Sequence, residues 1–259
     1  MALKRQDIAA GFRNLGLGSG DSVLAHTSLS NFGAVEGGAD AVIDGLLDAL
    51  GPNGTLLVPT LTGHEALSPT NPPHIDLRTQ ACWTGRIPET LRQRPTAIRS
   101  THPTHSCAAI GAQAEELTVG HHHSPTPCGI TSPYFRAAWA GGHIAMVGCT
   151  LTTCTTLHTV EEIANLDYVC QREVAYGTCI DRHGVKVDTP CRLHSYAGPE
   201  RDFPGLEPLL LENGGMRLGR IGPCTVRLIQ ARTLIETTLD QLRFDPLFLT
   251  VERKQRHAR

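Results

Sequence analysis

Residues 148 to 162 read GCTLTTCTTLHTVEE, a stretch holding six threonines, two cysteines, one histidine and two glutamates. A helix that begins near Thr155 or Thr156 places His158 and Glu161, at i and i+3, on one face. A carboxylate beside an imidazole orients the ring and raises the basicity of its other nitrogen, as a general base requires. The threonine-rich run ahead of it leaves hydroxyls and free backbone N–H groups at a helix N-terminus, where developing negative charge is stabilised. The same residues also fit a capped surface helix carrying an ordinary i,i+3 pair.

Two other segments carry comparable chemistry. In HTSLSNFG, His26, Thr27, Ser28, Leu29 and Ser30 follow an apolar run, and small hydroxyl residues in such a loop can cradle phosphate oxygens without a lysine. An ordinary capping turn reads the same way. In RSTHPTHSCAAIG, Arg99, Ser100, Thr101 and Ser106 can hold a phosphate or ribose. His102 and His105, with His121 to His123 as supplier of a third ligand, make an alternative metal site, although Pro103 between the first two keeps them from needing a shared helical face. Cys128, Cys149 and Cys154 raise a covalent alternative in which a thiolate takes an acyl group first. Free cysteines also serve as packing residues.

These residues need elements to position them. Spacing of Ile8, Phe12 and Leu15 predicts a first helix over 4–15, closed by GLGSGD. SVLAHT predicts a buried strand, AVIDGLLDAL a helix with Asp40 in its cap region, and GTLLVPTLT a second strand. Strand, loop, helix, strand predicts a parallel α/β unit with its functional loop after the first strand. The proline-rich run 63–83 predicts a surface excursion, and TGRIPETLRQR a short helix capped by Thr84. Strands are expected around Ser106 to Ile110 and in HIAMVGC, with a helix entered at Pro133 between them. After residue 173 two alternating stretches turn at DRHGV and IGP and predict antiparallel hairpins, with short helices in GLEPLLLENGG and TLIETTLDQLRF. The expected fold class is therefore α/β: one large domain over 1–259, a mainly parallel central sheet with helices on both faces, and antiparallel hairpins in the C-terminal third.

The bulk properties exclude several function classes. A formal net charge of −2 provides no footprint for nucleic acid, and the one dense basic run is the tail 252–259. No apolar stretch approaches the roughly 20 residues that span a bilayer, and MALKRQDIAAGF lacks the apolar core of a signal peptide. Nine cysteines at irregular spacings, without a CxxC pair, predict reduced thiols and a cytoplasmic location. A homodimer is the base-rate expectation for assembly.

Taken together, GDSVLAHTSLSNFGAVEGGADAVIDGLLDALGPNGTLLVPT, HPTHSCAAIG, TPCGITSPYFRAA and TTLHTVEE resemble the antibiotic N-acetyltransferase family, which includes the aminoglycoside 3-N-acetyltransferases. Beyond residue 170 the match is carried by DFPGLEPLL. The resemblance implies acetyl transfer from acetyl-CoA, the cosubstrate, to a primary amine on a large α/β core, and suggests antibiotic resistance as the role. It implies coenzyme A contacts in HTSLS, HPTHS and ITSPY, the last bringing in Thr131, Ser132 and Tyr134, and in the Thr155 and Thr156 pair. His158 corresponds to the proposed base, Glu161 to the family's acidic position, and Asp202 to the acceptor side. Glu162 and Glu65 are further carboxylates available to meet acceptor ammonium groups. A non-antibiotic amine, a coenzyme A-binding protein without catalysis, and a histidine-rich metal-dependent hydrolase are the alternatives to this function.

Overall fold

The computed structural model describes residues 2–253; the expected basic tail lies outside the described residues from 254 onward. Apolar runs become strands wherever alternate residues can be buried on two different faces. In β1 (Ser22–Thr27), Val23 and Ala25 pack against α1 (Arg5–Leu15), α2 (Gly38–Leu50) and α3 (Arg86–Arg92). Leu24 points the other way, toward α4 (Ala114–Thr118) and α5 (Pro133–Trp139). The same alternation divides β6 (His143–Val147): Ala145 and Val147 join the first core, while Ile144 and Met146 meet α6 (Thr155–Ile163), α7 (Glu207–Glu212) and α8 (Ala231–Phe244). Each fully buried Leu or Ile on these faces contributes about 1.5–3 kcal/mol. Helices thus cover both faces of one sheet, as the two-sided strand pattern requires.

That sheet has seven strands in the order β4-β5-β2-β1-β6-β10-β9. Here β2 is Thr55–Pro59, β4 Ile98–Arg99, β5 Cys107–Gly111, β9 Met216–Ile221 and β10 Cys224–Gln230. The central trio β2-β1-β6 is parallel, with Leu24 opposite Leu57 on one side and Ile144 on the other. The β9–β10 hairpin extends it antiparallel at one edge, as the last third of the sequence predicts. Antiparallel pairing also reaches the opposite edge through β5 and β4, a larger antiparallel share than the pattern implied. Buried parallel and antiparallel strands present the same apolar runs, so periodicity does not separate them.

A second sheet of three strands, β3-β7-β8, joins the predicted hairpin of β7 (Ala175–Ile180) and β8 (Lys186–Cys191) to β3 (His74–Asp76). The 63–83 excursion is therefore docked: His74 to Asp76 pair parallel with Thr178 to Ile180. A three-residue strand has no period to read, and its partner lies about a hundred positions further along. Two helix starts also shift. Gly37, in the left-handed region, caps α2, placing Asp40 in the first turn, and Thr84 donates to the Pro59 carbonyl at 2.6 Å while Gly85 precedes α3. Among the described residues no helix is long and apolar enough to cross a membrane.

Candidate active site

The parallel trio creates a crevice. The chain leaving β1 turns to α2 on one face, and the chain leaving β6 turns to α6 on the other. Adjacent parallel strands whose connections diverge in this way form a topological switch point, where ligands bind at the carboxyl ends of the strands. HTSLS and GCTLTTCTT meet there. The Ser28 N–H donates to the Val147 carbonyl at 2.9 Å, Cys149 Sγ to the His26 carbonyl at 3.4 Å, and Asn31 Nδ2 to Ser28 Oγ at 2.7 Å and the Gly148 carbonyl at 2.8 Å. Gly148 has φ +70°, and a Cβ there would stand 2.6 Å from Asn31 Cβ, so only glycine lets the two loops approach this closely. Ser28 and Ser30 pair their hydroxyls at 3.2 Å across the short turn Leu29–Phe32. His26 Nε2 and Thr27 Oγ1 are buried without a partner among the described residues, and burial drives the His26 imidazole down to about 3.

The loop after β6 leads directly into α6, which starts at Thr155, as the spacing predicts. His158 is 30% exposed, and its Nδ1–H donates to Glu161 Oε2 at 2.7 Å, so the lone pair sits on Nε2. Glu161 is fully buried and also accepts from Arg201 Nε at 3.0 Å. Burial pushes the Glu161 carboxyl up, but the His158 hydrogen bond and the charges of His158 and Arg201 outweigh it and hold the group below its ordinary value. The Phe203 ring stands edge-on to His158 at 5.2 Å. Thr155 and Thr156 are buried in the first turn, and Thr156 Oγ1 has no partner among the described residues.

Glu162 follows Glu161 but faces elsewhere. It accepts from the Cys128 N–H at 2.9 Å and lies 2.6 Å from His194 Nε2. Burial raises its carboxyl to about 7 and pushes the His194 imidazole well below its ordinary value. Beside Glu162 opens a cleft of about 310 Å³ lined by Thr126, Asn165, Asp167, Cys170, Arg172 and Arg192. Of the other nominated carboxylates, Glu65 is exposed near Tyr196, whose phenol is raised by burial first and by the Glu65 charge second. Asp202 sits at the start of the turn Phe203–Leu206, its N–H donating to the Leu249 carbonyl at 2.7 Å.

The second nominated segment is structural. Arg99 is buried and donates to the carbonyls of Leu77, Gln80 and Thr60 at 3.0, 2.7 and 3.0 Å, and through Nε to Thr60 Oγ1 and Ser106 Oγ. Its donors clamp the excursion onto β2 instead of reaching for a phosphate, and burial lowers the guanidinium to about 10. Ser106 is held in that clamp by Thr60, and Ser100 Oγ lies between the Cys107 N–H and His121 Nδ1, both at 2.9 Å. Thr101 is half-buried between Ser100 and His102. Tyr134 donates to the His105 carbonyl at 3.0 Å in the core. Ser132 caps α5 through Phe135, and the neighbouring Thr131 hydroxyl is buried without a partner among the described residues. The alternative metal site of His102 and His105 with a third ligand from His121 to His123 is not among the ligand groupings of the described residues. His121 uses both ring nitrogens, on Ser100 and the Pro127 carbonyl, and His102 Nδ1 accepts two backbone N–H groups. Burial raises the Cys128 and Cys149 thiols, and Cys154 to about 12, which removes the thiolate the covalent route needs.

Known proteins share this fold. The sequence model of the family described as aminoglycoside 3-N-acetyltransferase matches residues 24–243. The chain belongs to the aminoglycoside 3-N-acetyltransferase family. It is 34% identical over 248 residues to aminoglycoside N(3)-acetyltransferase VIII of Streptomyces fradiae, with 85% of each chain covered. Its fold matches AAC-IIIb solved as a binary complex with CoASH at TM-score 0.80 and 27% identity, covering 97% of this chain and 99% of that one. It also matches aminoglycoside acetyltransferase AAC(3)-IVa, solved as a histidine-to-alanine mutant in complex with apramycin, at TM-score 0.76 and 27% identity, covering 95% of each chain.

For this acetyltransferase family member, sequence reasoning missed two residues that complete the site. Arg201 and His194 both lie in CRLHSYAGPERDF, a stretch without helical or strand period. Arg201 precedes the nominated Asp202, so the motif beginning at Asp202 pointed one residue away from the group that anchors Glu161. Nothing in the sequence near His194 marks its partnership with Glu162, 32 positions earlier.

Proposed function

We propose that His158 is the general base of the family reaction, in which the acetyl group of acetyl-CoA passes to an amino group of an aminoglycoside, at the 3-N position as in the named relatives. The observation that carries this reading is the 2.7 Å bond from His158 Nδ1 to a buried Glu161 that Arg201 also holds. It fixes the tautomer that leaves Nε2 basic, and it stabilises the imidazolium that forms. The amine nitrogen attacks the thioester carbonyl carbon while Nε2 takes its proton. Collapse of the tetrahedral intermediate breaks the C–S bond, and the departing thiolate takes up the proton. Thr155 and Thr156, with the N–H groups of the first turn of α6, face the developing oxyanion in this reading.

Coenzyme A is placed in the crevice between β1 and β6. Three features support that placement: the close approach of the 26–33 and 148–156 loops, and the unpartnered hydroxyls of Thr27 and Thr156, which a bound substrate's polar atoms would satisfy. Acceptor ammonium groups are assigned to the cleft that Glu162 and Asp167 share; Arg172 and Arg192 on the same wall favour an acceptor with fewer positive charges. Glu65 and Asp202 are kept as outer acceptor contacts.

The test is thiol release from acetyl-CoA against gentamicin-like, apramycin-like and kasugamycin-like amines, with His158→Ala alongside. Release with one of these acceptors, reduced about 10²–10⁴-fold in the variant, is expected. Turnover within a few-fold of wild type in His158→Ala removes His158 as the base. Release only with a non-antibiotic amine keeps the chemistry and replaces the acceptor.

A further inference from the structure

Beneath the His158–Glu161 pair lies a set of ligating groups that acetyl transfer does not use. A ring nitrogen of His105, a ring nitrogen of His194 and Cys128 Sγ all lie within 4.8 Å of one another. They come from three separate segments: the turn before β5, the loop entering α5, and the stretch after β8. Glu162 stands at the edge of this set, 2.6 Å from His194 Nε2 and bonded to the Cys128 N–H at 2.9 Å, and groups separately with Cys170 and His194. Two imidazoles and a thiol are donor types that bind zinc, and three protein ligands leave one tetrahedral position open.

The outer contacts suit the same role. His105 Nδ1 is engaged by Thr104 Oγ1 at 2.9 Å, which fixes the ring and leaves Nε2 as its ligand atom. Metal-bound imidazoles regularly hold a hydroxyl, carbonyl or carboxylate on the other nitrogen in this way. In a tetrahedral zinc site, metal–ligand lengths of about 2.0–2.3 Å put ligand atoms roughly 3.4–3.8 Å apart. Side-chain movements of about 1 Å or less bring ligand atoms that lie within 4.8 Å of one another to that spacing. The edge-on packing of His105 against His194, with ring centroids 4.5 Å apart, already points both rings into one small volume.

We propose that His105, Cys128 and His194 bind a soft divalent transition-metal ion such as zinc, with its fourth position open. Binding releases the Cys128 thiol proton to solvent, and no electron is transferred. The His194 and His158 rings are 4.9 Å apart, so an ion here sets a positive charge beside the proposed base. Ligation re-aims the His194 ring, which packs against His158 and is held by Glu162 at 2.6 Å, and so disturbs the seat of the base. Occupancy therefore slows acetyl transfer, and the site is inhibitory. A second grouping, Glu162, Cys170 and His194, shares His194 and competes for the ion.

The probe is Co²⁺ added to full-length protein stripped with a chelator, with zinc used afterwards to displace it. One equivalent bound, with thiolate-to-cobalt charge transfer and the intense visible bands of a four-coordinate ion, is expected. In Cys128→Ser the charge-transfer band disappears, and in His105→Gln affinity falls at least tenfold, while Cys170→Ser retains both signals. Zinc lowers wild-type turnover several-fold, a chelator restores it, and Cys128→Ser is insensitive. Absence of the charge-transfer band in wild type overturns the site without any variant. A band that survives Cys128→Ser but not Cys170→Ser overturns it in favour of the second grouping. Binding unchanged in both Cys128→Ser and His105→Gln places the ion on surface histidines and also overturns it. The binding readout is independent of which residue is the base, so failure here and failure of the His158 assignment are separable.

Discussion

Glu161 and Glu162 stand side by side on α6, and the two sides of the helix treat them differently. Both carboxylates are almost inaccessible, at 0% and 3% exposure, and consecutive residues on a helix point about 100° apart. Glu161 turns toward a guanidinium and the His158 ring, and these charges overcome the burial that would raise it. Glu162 turns toward a backbone N–H and a neutral imidazole, and burial carries it up to about 7. Burial is common to both; the charge of the partner decides the outcome. One side of α6 thus holds a fixed anion that can orient a base. The other holds a carboxyl that exchanges its proton near neutral pH and can meet an ammonium group or a metal ion.

The largest effect should come from removing the fixed anion. Glu161→Ala leaves Arg201 part-buried without its carboxylate and His158 without its orienting partner. Turnover should fall about 10²–10⁴-fold, and stability by about 3 kcal/mol, which lowers Tm by roughly 6–12 °C for a chain of this size. Steady-state kinetics and calorimetry check both, and turnover above a tenth of wild type would break the contrast. Arg201→Met should make Glu161 behave like its neighbour. With its folded pKa depressed, Glu161 contributes stability above its unfolded value near 4.3, a contribution lost as pH falls through the folded pKa. Without the guanidinium the folded pKa rises and that contribution shrinks at neutral pH. The acid limb of kcat/KM should move to higher pH, with about a tenfold loss at pH 6. An unmoved acid limb would show that Arg201 does not set the charge of Glu161.

Glu162→Gln probes the other side with a smaller effect. A folded pKa raised to about 7 means that Glu162 supports the fold most at low pH. The contribution is complete below the unfolded value near 4.3 and is lost as pH rises through 7. Relative to the variant, wild type should lose on the order of 2–3 kcal/mol between pH 4.5 and 7, after which the two curves run parallel. Denaturant midpoints at pH 5, 6, 7 and 8 measure this. Parallel curves throughout would mean that Glu162 titrates normally.

How much of this contrast was legible depended on distance along the chain. The His158–Glu161 pair sits three residues apart on one helix, so helical spacing alone brought the two together. The α/β layering was readable because Val23, Leu24 and Ala25 must bury alternate sides. A functional loop after the first strand followed from strand–loop–helix–strand order; the crevice it shares with the loop after β6 needed the sheet order. Arg201 and His194 were not readable, because their partners lie 40 and 32 positions away and no period links them. Arg99 misled for the related reason that a buried arginine and a phosphate-binding one present the same letter. Only the carbonyls of Leu77, Gln80 and Thr60 distinguish them.

A buried polar group with no partner among the described residues extends the comparison, and Thr156 at the start of α6 is that case. A buried hydroxyl left unpaired costs about 1–3 kcal/mol, so removing it without changing the side-chain shape should stabilise the ligand-free fold. Thr156→Val should raise stability by about 1 kcal/mol, seen as a Tm gain of roughly 2–4 °C. If that hydroxyl faces the thioester, the same variant should lose about tenfold in turnover, because the group finds its partner only when substrate is bound. A gain in Tm with unchanged kcat would assign Thr156 to the helix start alone and leave the backbone N–H groups of the first turn as the oxyanion donors. A loss in both would mean that the hydroxyl is paired in the ligand-free protein, and the ranking of the three buried groups on α6 by partner charge would end at two.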